Sequence, residues 1–96
     1  MTKGNEIEMY TIFAFQSRAQ AMTMYSSLKR AGIGSALMTT PREVSLGCGL
    51  SVKICEQSYR EACSVLYAVE NDTFLGAFRL YYEGRRTCVE RIRGGF

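Results

Sequence analysis

The sequence predicts an α+β fold in which two helices pack on one face of a four-stranded antiparallel sheet. Three observations support this prediction. Four short segments are rich in β-branched and aromatic residues, two longer segments carry apolar residues at helical spacing, and the six follow one another in the order β-α-β-β-α-β. Because connections tend to be short and crossovers right-handed, this order favours the split β-α-β sandwich known as ferredoxin-like.

The predicted strands comprise residues 9–15, 33–39, 50–55 and 74–82. The first strand is apolar on both of its alternating sets, so we expect both of its faces to be covered. The third strand alternates, with Leu50, Val52 and Ile54 facing inward. Gly76 is a candidate β-bulge in the fourth.

Both predicted helices begin at a capping-box sequence, in which a serine is followed three residues later by a side chain that can reach back to it. These sequences run from Ser17 to Gln20 and from Ser58 to Glu61. We expect Gly32 to end the first helix in the C′ position. The expected apolar stripe of this helix is Ala21, Met22, Tyr25, Leu28 and Ala31. The second helix is expected to end near Glu70, with the stripe Tyr59, Ala62, Cys63, Leu66 and Val69.

A sheet with helices on one side leaves its other face bare. Phe13, Phe15 and alternate residues of 74–82 are expected to supply an apolar surface on that face. We therefore expect a homodimer formed through the open sheet face. The chain is expected to be one domain, 1–96, with a core of about residues 9–82. Its basic C-terminal tail, 83–96, either adds an edge strand or stays mobile.

Composition excludes several kinds of site. The chain has 96 residues, a net charge of +3 and no histidine, which removes His/Cys zinc sites, histidine general bases and Cys–His dyads. The four cysteines contain no Cys-x-x-Cys pair, so we expect free thiols, no metal and no cofactor. No apolar run approaches the roughly 18 residues that span a bilayer, and the start does not resemble a signal peptide. These features predict a cytoplasmic protein that does not enter a membrane.

The loop between the second and third strands carries the candidate chemistry. Cys48 lies between Gly47 and Gly49, which have no side chains to shield a thiol. Arg42 is a permanent cation in the same loop, and Ser45 offers a hydroxyl. Cations and converging backbone N–H groups stabilise a thiolate. Since no histidine can take a proton and Glu43 is the only carboxylate in the loop, such a thiolate is better suited to accepting and handing on a soft atom than to hydrolysis.

The run Thr40-Pro41-Arg42-Glu43-Val44-Ser45, followed by Cys48-Gly49-Leu50, resembles the signature of the selenium/sulfur carrier-like family of small bacterial proteins. The similarity extends over about residues 9–69 and includes the first strand and the end of the first helix. The resemblance implies a cytoplasmic protein that carries sulfur or selenium on Cys48, with a cysteine desulfurase-type donor and an acceptor that the sequence does not identify. The chain departs from the family pattern by continuing through residues 74–96, where Cys88 is a candidate resolving thiol or an incidental one.

Two alternatives stay open beside a carrier, which we favour over an enzyme. One is a non-catalytic, oligomeric ligand- or RNA-binding module of ferredoxin-like fold, with Tyr10, Phe13, Tyr81, Tyr82 and the arginine-rich tail on its open face. The aromatic signature of that RNA-binding module is absent, so we do not expect nucleic acid. The other is that Gly-Cys-Gly is a tight turn in which the cysteine only fills space.

Overall fold

A computed structural model describes residues 9–45, 47 and 49–92, and all structural statements below refer to these residues. The strands are β1 (Met9–Phe15), β2 (Ser35–Thr39), β3 (Leu50–Cys55), β4 (Phe74–Glu83) and β5 (Arg86–Arg91). The helices are α1 (Arg18–Arg30) and α2 (Tyr59–Ala68), the latter preceded by a short 3-10 turn, Glu56–Ser58. No helix in the described part of the chain is long and apolar enough to cross a membrane.

The strands form one antiparallel sheet in the order β2-β3-β1-β4-β5. The α+β class is confirmed, but the prediction of four strands is wrong. β5 comes from the predicted basic tail and pairs with β4 from Phe78↔Arg91 to Glu83↔Arg86. Gly84, with φ of 61°, opens the two-residue turn between these strands, where hairpins favour glycine. The fifth strand makes the order differ from that of the simple ferredoxin-like sheet.

β1 lies between β3 and β4, and its residues from Thr11 to Phe15 are buried, so the prediction that both its faces are covered is confirmed. The prediction that Phe13 and Phe15 lie on the helix-free face is wrong. Both rings are fully buried in the cluster that the sheet forms with α1 and α2. Because both alternating sets of β1 are apolar, their period does not reveal which set faces the helices.

The helix-free face is also apolar, but its central side chains are already buried within one copy of the chain. Its central residues are Ile12, Ala14, Phe78 and Leu80, and each is at most 6% exposed. The partly buried side chains around them include Met38, Val44 and Val89. The broad exposed apolar surface that motivated a dimer through this face is therefore not found among these residues.

The two helix starts differ, although their sequences look alike. Ser17 Oγ accepts a hydrogen bond from the Gln20 N–H at 3.2 Å, as predicted. The Gln20 side chain does not return to the cap; its Oε1 accepts hydrogen bonds from the Thr73 N–H and hydroxyl, at 3.1 and 2.6 Å. Ser58 makes no cap hydrogen bond, so the second predicted capping box is wrong. Instead, the 3-10 turn Glu56–Ser58 leads directly into α2.

The end of α1 follows the prediction. The N–H groups of Gly32 and Ile33 donate to the carbonyls of Lys29 and Leu28, which is the Schellman pattern, and Gly32 has φ of 80°. The buried stripe is Ala21, Met24 and Leu28, whereas Met22 is 52% exposed. In α2 the predicted stripe is confirmed, with Ala62 and Leu66 buried and the other three members packed against the core.

Candidate functional site

The loop that joins β2 to β3 lies at the end of the sheet where β1 finishes. Thr39 pairs with Leu50, and Leu50 pairs with Phe15 on its other side. Val44 packs against the cluster on the helix-free face, so this part of the loop lies on the same side of the sheet as that cluster. The loop is therefore attached to the core at both of its ends and at its middle.

The first half of the loop is a single turn stabilised by its own backbone. The N–H groups of Val44 and Ser45 both donate to the Pro41 carbonyl, at 2.9 and 3.1 Å. This turn leaves Arg42 and Glu43 exposed. Arg42 forms no ion pair or hydrogen bond with any residue that the structure describes.

A buried pair of hydroxyls lies at the base of the loop. Thr40 is 4% exposed and Ser51 is fully buried, and their Oγ atoms are 2.8 Å apart. The Thr40 N–H also donates to the Gly49 carbonyl at 3.3 Å. Because a buried hydroxyl without a partner is costly, this pair fixes the two ends of the loop relative to each other. Thr40 belongs to the signature run without a predicted role in the site, and the sequence does not identify Ser51 as part of the site.

Gly49 is buried because other parts of the chain approach its Cα closely. A Cβ at this position would lie 2.6 Å from the Phe15 carbonyl oxygen and 3.1 Å from Thr40 Oγ1. Gly47 is exposed, and among the described residues a Cβ there would meet Ser45 Oγ, at 3.6 Å. Neither glycine has a positive φ. The two glycines thus have different physical roles, and only Gly49 is required by packing.

The structure brings together part of the predicted site. Ser45 Oγ accepts a hydrogen bond from the Gly47 N–H at 3.1 Å, so its hydroxyl oxygen orders the loop backbone. Cys48, the predicted carrier thiol, lies outside the described residues, as does Leu46. The predicted roles of Arg42 and Ser45 toward the thiol therefore stay predictions.

The other cysteines occupy three different settings. Cys55 is exposed at the end of β3. Cys63 is partly buried in α2, and burial raises the pKa of its thiol, which suits a packing role. Cys88 lies on β5 with its Sγ 3.9 Å from Glu83 Oε1.

Cys88 and the loop lie at opposite ends of the sheet. Cys88 pairs with Tyr81, which pairs with Met9, whereas Gly49 adjoins Leu50, which pairs with Phe15. At about 3.3 Å per residue along β1, Met9 and Phe15 are roughly 20 Å apart, and so are the positions of Cys88 and Gly49 along the strand direction. A disulfide needs Cα atoms within about 7 Å. The position of Gly49 therefore speaks against Cys88 as a resolving thiol within the same chain.

The fold and the loop together define a small α+β protein with a cysteine in the connection between two paired strands. The chain belongs to the family described as putative Se/S carrier protein-like, whose model matches residues 10–73. This match runs from β1 to the residue before β4 and includes the whole Cys48 loop. A search of curated proteins found no match. Within the described residues, no group of three or more candidate ligands is placed to hold a metal ion.

Proposed function

We propose that the protein carries sulfur or selenium on Cys48, as a persulfide or its selenium analogue, and passes it between partner enzymes. The observation that carries this proposal is the family match over residues 10–73, because it spans the loop that contains Cys48. The donor is a cysteine desulfurase-type enzyme, the acceptor is a second protein, and the compartment is the cytoplasm. We also propose that β1 to β4 form a ferredoxin-like sheet, to which β5 is added at one edge.

The chemistry is an exchange in which no net oxidation occurs. The Cys48 thiolate attacks the terminal sulfur of the donor's cysteine persulfide, the donor S–S bond breaks, and the donor cysteine leaves as a thiolate. The terminal sulfur is then bonded to Cys48. Attack on that sulfur by an acceptor thiolate reverses the process and returns Cys48 to its thiolate form. A terminal selenium atom follows the same sequence of bond changes.

The surroundings of the loop support this chemistry in two ways. Arg42 is exposed and has no ion pair within residues 9–45, 47 and 49–92, so its charge can stabilise an anion brought near the loop. The Thr40–Ser51 pair and the close contact at Gly49 fix the base of the loop, which lowers the ordering cost of docking against a partner.

The proposal is tested by loading the protein from a desulfurase. The purified chain is incubated with a cysteine desulfurase and cysteine, and peptides are analysed by mass spectrometry without reductant. We expect the mass of one sulfur atom on the Cys48 peptide, its loss in Cys48→Ser and its persistence in Cys55→Ser, which removes an exposed thiol of the same chain. Equal loading of the Cys48→Ser chain would contradict a carrier role for Cys48.

The RNA-binding alternative gains little support. Phe13, one of its candidate stacking residues, is fully buried among the helices. On the helix-free face, Lys53 Nζ lies 4.5 Å from the centroid of Tyr10 and the Arg91 guanidinium lies 4.8 Å from that of Phe78. Because these rings already bear cations of the same chain, bases would have to displace them in order to stack.

A further inference from the structure

Among the described strands β5 lies at one edge of the sheet, and its hydrogen-bonding pattern fixes which of its backbone groups face outward. The Ile92 N–H donates to the Ala77 carbonyl at 2.9 Å, and these two residues continue the β4–β5 register. In an antiparallel ladder the direction of the backbone groups alternates. The backbone groups of Arg86, Cys88 and Glu90 therefore face β4, whereas those of Thr87 and Val89 face the free edge.

This alternation restricts how a second copy of the chain can add to the edge. An antiparallel β5–β5 pair must place outward-facing residues opposite outward-facing residues, so its two-fold axis passes through a residue rather than between two residues. With the axis at Cys88, Thr87 of one copy lies opposite Val89 of the other, and both have outward-facing groups.

The charges on β5 favour the same register. With the axis at Cys88, Arg86 of each copy lies opposite Glu90 of the other. An axis at Val89 instead places Thr87 opposite Arg91 and pairs no opposite charges within the strand. Directly opposite residues of unlike charge stabilise an antiparallel pair.

Arg86 and Glu90 are both exposed, and no ion pair joins either to another described residue. The Tyr81 hydroxyl donates to Glu90 Oε2 at 2.8 Å, which fixes the carboxylate, and the other carboxylate oxygen has no hydrogen bond from a described residue.

We propose that the protein forms a homodimer by antiparallel pairing of β5 strands about a two-fold axis at Cys88, with reciprocal Arg86–Glu90 ion pairs. The two sheets then join edge to edge. Because β2 lies at the opposite edge of each sheet, both β2–β3 loops stay at the outer ends of the dimer. This proposal is independent of what Cys48 carries.

Charge exchange tests the register. Arg86→Glu and Glu90→Arg are each expected to raise the dimer dissociation constant by about tenfold or more in sedimentation equilibrium, because each places like charges opposite each other twice. An equimolar mixture of the two variants is expected to restore dimers, since positions 86 and 90 are both acidic in one variant and both basic in the other. Arg60→Glu, an exposed charge reversal in α2, serves as the matched control and should leave the constant unchanged. A monomeric wild-type chain, or a mixture that fails to dimerise, would overturn the proposal.

A second measurement needs no charged variant. At a non-hydrogen-bonded antiparallel pair, the Cα atoms of the two Cys88 residues lie about 4.5 Å apart, within disulfide range. In a chain with the other three cysteines replaced by serine, diamide, which accepts the two electrons, should convert the dimer to a disulfide-linked form. A chain that retains only Cys55 is the control for random collision, because Cys55 is the more exposed thiol. Equal or slower linkage through Cys88 would argue against this register.

Discussion

At the residue scale, Gly49 connects three parts of the chain. Its Cα lies against the Phe15 carbonyl of β1 and the Thr40 side chain at the end of β2, and it directly precedes β3. Sequence reasoning interpreted Gly47 and Gly49 alike, as glycines that expose a thiol. The structure separates them, because one is buried by close contacts and the other is exposed.

We predict that Gly49→Ala lowers the free energy of unfolding by about 1–3 kcal/mol, since the Phe15 backbone oxygen has to move to admit a methyl group. Gly47→Ala is the matched control, because its Cβ would make an ordinary contact with Ser45 Oγ. Its effect should stay within about 0.5 kcal/mol. Urea denaturation followed by circular dichroism measures both. Equal effects at the two positions would contradict the structure of the loop base.

The Thr40–Ser51 pair is the second residue-scale feature. Thr40→Val leaves the buried Ser51 hydroxyl without its partner, so we expect a loss of about 1–3 kcal/mol in the free energy of unfolding. The double variant Thr40→Val/Ser51→Ala should recover part of that loss, because no buried donor is then left unpaired. A double-mutant cycle from urea denaturation gives the coupling. Additive effects would show that the two hydroxyls do not interact.

At the scale of elements, local sequence signals predict the limits of a helix or strand correctly where local interactions determine those limits. Ser17 and Gly32 bound α1 as predicted, and β1 and β3 have the predicted limits. Gln20 and Ser58 fail as capping-box members because their surroundings override the local preference. The turn before β4 offers Gln20 better partners, and a 3-10 turn occupies the approach to α2.

This difference predicts unequal effects for two similar substitutions. Ser17→Ala should lower the free energy of unfolding by about 1 kcal/mol, because the Gln20 N–H loses its cap. Ser58→Ala removes the same hydroxyl from a position with no cap hydrogen bond and should cost little. Thermal unfolding of both variants under one condition tests the contrast. A larger loss for Ser58→Ala than for Ser17→Ala would contradict the observed caps.

The site was less predictable than the elements around it. The proline, the two glycines and Arg42 attract attention in the sequence, and the structure places them in one connection. The Thr40–Ser51 contact joins residues eleven positions apart, and only the β2–β3 register brings them together. Likewise β5 carries three charged residues among six, so its hydrophobic pattern is too weak to predict a strand. The strand forms because its backbone pairs with that of β4.

At the scale of the whole molecule, the family match and the folded unit do not coincide. The match ends at residue 73, whereas β4 begins at Phe74 and pairs with the central strand β1. Ala77, Phe78 and Leu80 of β4 are buried on the two faces of the sheet. The segment beyond the match is therefore part of the core.

Two truncations test this conclusion. A chain that ends at Thr73 should be unfolded, because β1 loses a neighbour along its whole length and both clusters lose buried side chains. A chain that ends at Glu83 lacks only β5 and the residues after it, and should keep a cooperative unfolding transition at a lower temperature. Circular dichroism and thermal unfolding distinguish the two. A folded 1–73 chain would contradict the assignment of β4 to the core.

The proposed carrier role requires the β2–β3 loop to maintain Cys48 as a reactive thiolate, and the ionisation of that thiol is the most direct measure of this role. In a chain with Cys55, Cys63 and Cys88 replaced by serine, the rate of alkylation by iodoacetamide as a function of pH gives the pKa of Cys48. We predict a value well below the free-cysteine level of about 8.5, and a higher value when Arg42→Gln is added. A value at or above about 8.5 that Arg42→Gln leaves unchanged would contradict the account.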